Sequence, residues 1–148
     1  MATKGITLTE RSVLSAHTLV HLRRRVLDIL FFHERCLQAA TETDVHALRL
    51  AARHLQPVLD LLNLLVPNDR AVADAIRQVR GVLHHTNTLR EEHVYRQAID
   101  RLPGPAALRN ALGQAALPKE RSAAEHMRKR LSKLDREGLI GLAARNWP

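Results

Sequence analysis

Val45-His46-Ala47-Leu48-Arg49-Leu50-Ala51-Ala52-Arg53-His54-Leu55-Gln56-Pro57-Val58-Leu59-Asp60-Leu61-Leu62 is the stretch that decides the fold class. Within it Val45, Leu48, Ala52, Leu55, Leu59 and Leu62 recur at steps of three and four. That spacing stacks them on one face of an α-helix, whereas a strand would need alternation every second residue. A helix with so continuous an apolar seam must bury it against a neighbour, because the seam has no other way out of water. Pro57 interrupts the pattern without ending it. It lacks an N–H and crowds the preceding turn, so a kink is expected within one helix. Val66-Pro67-Asn68-Asp69 closes the helix, since proline cannot continue it and Asn68 or Asp69 can cap the next.

Working outward, the upstream segment repeats the logic. Leu19, Leu22, Val26 and Ile29 share one helical face. Thr7 and Glu10 have capping-box spacing, which starts the helix near Leu8. The pattern runs to the polar Thr41-Glu42-Thr43. Downstream, Val72, Ile76, Val79, Leu83, Thr86 and Arg90 form a stripe whose last two members are polar. Leu102-Pro103-Gly104-Pro105 breaks the chain, and Pro118 reads as the first-turn proline of a further helix carrying Ala124, Met127, Leu131 and Leu134. The expected helices therefore cover about 8–40, 43–65, 69–101, 106–116, 119–134 and 139–146. No strand alternation or internal repeat is found. The expectation is an all-α, antiparallel helical bundle with long helices, forming a single domain over the whole chain.

Composition narrows the function. The chain has 148 residues, with 23 Lys plus Arg against 15 Asp plus Glu, a formal charge of +8. Nine histidines add further positive charge at mildly acidic pH. Apolar residues at 45% exclude a disordered basic tail, and aromatics at 3% leave Leu, Ala and Val to build the core. No apolar run approaches the roughly 18–20 residues of a membrane helix, and the N-terminus has no signal-peptide h-region. The one cysteine, Cys36, lies in a helical stripe, excludes an internal disulfide and reads as core rather than nucleophile. These features lead us to expect a soluble, cytoplasmic protein with a polyanionic partner.

The chemistry-bearing residues flank the seams. His46, Arg49, Arg53 and Gln56 run parallel to the apolar stripe of the second helix, one position along. Such a row can take successive phosphates, because each guanidinium offers a planar fork of donors; equally, it can be a solvated bundle exterior. Arg90 stands where the third stripe should be apolar. An inward charge must be paired, and Glu91, Glu92 and His93 follow it, so a structural ion pair and a functional site are both expected readings.

The segment Val45 to Gln56 resembles the signature of the CHAD domains, the conserved-histidine α-helical domains. That family has a valine–histidine pair, an arginine three residues on and then a dense arginine row. His46, Arg49 and Arg53 match, whereas His54 and Gln56 stand where the family carries further arginines. Asn87 to Val94 is similar to the family's later motif through Arg90 and Val94, with Glu91 for an aspartate, while Asn87 and His93 depart from it. The resemblance implies a non-enzymatic module that binds inorganic polyphosphate through a basic helix face, without cofactors or metal, and associates with polyphosphate granules. On that reading His46, Arg49, Arg53 and Arg90 are the principal ligands. His54 and Arg80 come next, and Arg128, Lys129, Arg130 and Lys133 widen the basic face. The family is built as two similar bundles and this chain has the length of one, so a homodimer is expected.

Three alternatives compete. A nucleic-acid binder suits the charge, but Phe31, Phe32, Tyr95 and Trp147 are too few for a stacking platform. A metal protein is suggested only by His17 and His21, four residues apart on one helix face and without a third ligand in the sequence. A helical interaction or granule-associated protein would use the amphipathic helices as docking surfaces.

Overall fold

The computed structural model describes residues 8–147, with side chains from residue 16. Thr7 and the side chain of Glu10, and so the expected capping box, lie outside the described residues. Six helices follow in order: α1 (Leu8–Gln38), α2 (Glu42–Leu65), α3 (Arg70–His85), α4 (Asn87–Asp100), α5 (Ala106–Leu131) and α6 (Arg136–Ala144). Among the described residues there is no strand, so the all-α bundle is observed. No helix of these residues is long and apolar enough to cross a membrane.

The decisive seam behaves as its spacing demands. Val45, Leu48, Ala52, Leu55, Leu59 and Leu62 are all buried between α1 and α3. They meet Leu22, Val26 and Ile29 from α1 and Val72 and Val79 from α3. Each fully buried leucine contributes about 1.5–3 kcal/mol relative to exposure. The turn from α1 to α2 is pinned by side chains. Thr41 Oγ1 accepts from the Asp44 N–H at 3.2 Å, and Arg35 Nε donates to Asp44 Oδ1 at 2.7 Å. Asp69 starts α3 by accepting from the amides of Ala71 and Val72, just after Asn68 takes a left-handed φ of 68°. Cys36 is wholly buried, and burial pushes its thiol up to about 12, so it is a core residue and no nucleophile at neutral pH.

Three expectations about the elements are corrected. The single third helix over 69–101 is two helices, broken at Thr86. There the Thr86 hydroxyl donates to Val82 O at 2.8 Å, and Arg49 Nη1 takes Leu83 O at 2.8 Å. A carbonyl drawn toward a side chain weakens the ladder that would carry the helix onward. The expected helices at 106–116 and 119–134 are one helix, α5, which runs through the exposed Pro118. It is held just beyond the proline by Lys119 on Glu92 and by Glu120 on Arg96, both reaching α4. The last helix begins at Arg136 rather than 139, because Asp135 Oδ1 caps it by accepting from the Gly138 N–H at 2.9 Å. In α2, by contrast, one continuous helix passes through Pro57, which faces solvent.

The chain end folds back on the bundle. His33 joins α1 to the end of α5 and to α6. Its Nε2–H donates to Leu131 O at 2.6 Å, while Nδ1 accepts from Arg136 Nη1 at 2.7 Å. Only the neutral ring satisfies both partners. Arg145 pairs with Asp69 at 2.6 Å and lies over the Trp147 ring, its guanidinium carbon 4.3 Å from the centroid.

Candidate functional site

On a helix, residues three or four apart share a face, so His46, Arg49 and Arg53 project together from α2. The first turn of α4 brings Arg90 to them. These four side chains and Leu50 line one concavity of about 180 Å³. No carboxylate lines it. The side chains of His46, Arg53 and Arg90 make no hydrogen bond or salt bridge to any described residue.

Arg49 has two roles. Its Nη1 donates to Leu83 O and to Thr86 Oγ1, both at 2.8 Å, and so plugs the break between α3 and α4. These bonds occupy Nη1 alone, and the side chain still lines the concavity. Burial, followed by the charges of Arg53 and Arg90, pushes its pKa below the ordinary value, opposed by Glu91. The guanidinium remains charged at neutral pH. Three guanidiniums lining one concavity, with Glu91 near Arg49 but outside the lining, favour an anion in the space they share.

The expected ion pair of Arg90 is not formed. The break at Thr86 re-aims α4, so Arg90 no longer continues the seam of α3 and is half-buried at the concavity. Its acidic neighbours bond elsewhere. Asn87 donates to Glu91 at 3.2 Å, and the buried Glu92 meets Lys119 at 3.2 Å. His93 is buried with Nε2 3.8 Å from Glu120, and burial lowers its pKa. This polar contact joins α4 to α5, and its α5 half is not visible in the α4 sequence alone.

The other candidate ligands lie elsewhere. His54 is exposed toward α1, its Nδ1 3.4 Å from Arg25 Nη1. Arg80 is exposed on α3 and is not among the residues lining the concavity. Arg128, Lys129 and Arg130 occupy the last turn of α5, with Lys133 just beyond, and all four are exposed. Arg130 and Lys133 line a separate cleft with Arg77, Gln78 and His85. Arg77 and His85 are not among the candidate binding residues expected from the sequence. The signal available was the Arg77, Gly81, His85 spacing of four, which marks one face of α3.

The His17 and His21 rings meet edge to face at 4.6 Å between centroids. Among the described residues no group of three or more His, Cys, Asp or Glu side chains could hold a metal ion. No aromatic side chain lines the basic concavity. Comparison of the chain with protein-family models, curated proteins and solved structures finds no match.

Proposed function

We propose that this chain is a non-enzymatic polyanion-binding module, a single-bundle relative of the CHAD domains, that takes inorganic polyphosphate at His46, Arg49, Arg53 and Arg90. One observation carries the reading: three guanidiniums converge on one concavity that no carboxylate lines. A linear polyphosphate supplies an anion at each link. The arginine forks match its oxygens, and binding releases the chain's condensed counterions. The absence of an aromatic platform in the concavity favours a phosphate chain over single-stranded nucleic acid. Such a module would act in the cytoplasm, at polyphosphate granules.

We further propose self-association through the outer face of α1. Val20, Leu27 and Phe31 are 66%, 67% and 58% exposed there, at steps of seven and four, so they form an outward apolar row. Sedimentation should return a dimer at micromolar concentration, and a clean monomer would remove that part of the reading.

The binding test is a polyphosphate titration across a salt series with wild type and Arg53→Ala/Arg90→Ala. The double variant should bind more weakly, and its log–log salt slope should fall by about 1–2, the share of two lost phosphate contacts. Identical affinity and slope would refute the site. Equal affinity of the wild type for duplex DNA and polyphosphate would replace polyphosphate with a generic polyanion.

A further inference from the structure

A second cationic hollow lies between α3 and the end of α5. Arg77, Gln78, Gly81, Val82 and His85 of α3 form one wall, and Arg130, Leu131, Lys133 and Leu134 at the end of α5 form the other. The cleft shares no lining residue with the concavity at His46, Arg49, Arg53 and Arg90. The wall spacing is held by Gln78, whose Oε1 accepts from the Asp135 N–H at 3.2 Å.

The character of this cleft differs from that of the concavity. Its volume is about 480 Å³, within the range of sites that enclose a small molecule. Val82 and Leu131 lie almost wholly buried beneath it, so the apolar surface it offers is chiefly that of the half-buried Leu134. Arg130 and Lys133 are exposed, and His85 is half-buried in the lining. The nearby carboxylates are engaged: Asp74 pairs with Arg77, and Asp135 caps α6.

We propose that this cleft is a discrete binding site for a compact phosphorylated small molecule with an apolar or aromatic body. The phosphates meet Arg130, Lys133 and His85, and the body rests on Leu134, over the buried Val82 and Leu131. A long phosphate chain has no use for this apolar surface, whereas a molecule with both parts uses it and the charges together. This assignment stands independently of the polyphosphate reading, because the residues are different.

His85 adds a pH dependence. Burial and the positive groups facing it (His84 on α3, Arg130 and His126 on α5, and Lys133) lower its pKa, so it is uncharged near neutrality. Arg77 faces the same space but is neutralised by Asp74. An anion between them favours the protonated ring, so binding strengthens as pH falls through the histidine range.

The test is calorimetric titration with ATP and with inorganic triphosphate, at about pH 7.5 and about pH 6. Wild type, Arg130→Glu/Lys133→Glu and Arg53→Ala/Arg90→Ala are compared. Both altered positions in the charge-reversal variant are exposed, so circular dichroism should show an unchanged fold. With the concavity disabled by Arg53→Ala/Arg90→Ala, ATP should bind more tightly than triphosphate does, and more tightly at the lower pH. The charge reversal should weaken ATP by about tenfold or more, and the Arg53/Arg90 variant should leave it unchanged. No ATP binding, triphosphate binding to the Arg53→Ala/Arg90→Ala variant as tight as that of ATP, or ATP loss confined to the Arg53/Arg90 variant would each overturn the proposal. Failure of polyphosphate binding in a parallel titration would bear on the concavity alone.

Discussion

At the scale of single residues, Arg49 shows why position in a motif does not fix a role. Its sequence register beside the apolar seam groups it with Arg53, and both do line one concavity. Only Arg49 is also tied to Leu83 O and Thr86 Oγ1. Removing it leaves the buried Thr86 hydroxyl and a helix-end carbonyl short of a donor. Arg49→Ala should therefore cost about 1–3 kcal/mol of stability by urea denaturation, whereas Arg53→Ala should stay within about 0.5 kcal/mol. Equal effects of the two variants would show that the guanidinium does not hold the break. The projection of His46, Arg49 and Arg53 from one helix face was legible in the sequence, because spacing alone sets it. The second role of Arg49 was not, because its partners lie more than thirty residues away.

At the scale of elements, the two internal prolines and one threonine carry the lesson. Pro57 and Pro118 both sit inside helices, yet proline in a helix interior costs about 3 kcal/mol relative to alanine. In α5 the segment just beyond the proline is tied to α4 through Lys119 with Glu92 and Glu120 with Arg96 and His93. Pro118 is exposed, so Pro118→Ala should restore a backbone hydrogen bond without disturbing packing. We expect it to raise stability by about 1–3 kcal/mol and to leave polyphosphate binding unchanged. A loss of stability in thermal melts would mean that α5 needs the distortion. Thr86 is the converse case. Nothing local marks it as a helix break, since threonine is tolerated within helices, and the stripe from Val72 to Arg90 reads as continuous. The break follows from the hydroxyl's bond back to Val82 O and from the arginine arriving from α2.

At the scale of the whole molecule, side-chain clamps close the bundle, and they should give its stability two acid limbs. His33 is buried, and desolvation is the main cause of its lowered pKa, with Arg136 also lowering it against the bond to Leu131. A histidine depressed in the folded state takes up its proton first in the unfolded chain. Stability is thus full above about pH 6.5 and falls as pH drops below it toward the folded value. Asp44 and Asp69 are held below the usual carboxylate range, chiefly by hydrogen bonds from Arg35 and Arg145. Their contribution is present above about pH 4 and is lost as pH falls through their folded values. Denaturant midpoints measured from pH 8 to pH 3 should show both limbs. His33→Gln should reduce the upper limb alone, the remainder coming from the lowered His85 and His93, and Asp44→Asn with Asp69→Asn should reduce the lower one. A single limb unaffected by either set would refute the assignment. What the sequence by itself determined is the all-α class, the seam of α2, the core position of Cys36 and the shared face of His46, Arg49 and Arg53. Each of these rests on helical periodicity, which is a local property. Only the tertiary structure decided that the third helix breaks at Thr86, that α5 runs through Pro118, that Arg90 turns to the concavity and that Arg130 and Lys133 belong to a different cleft. Each of those depends on a hydrogen bond, ion pair or wall supplied by another helix, and periodicity along one segment carries no record of its partner.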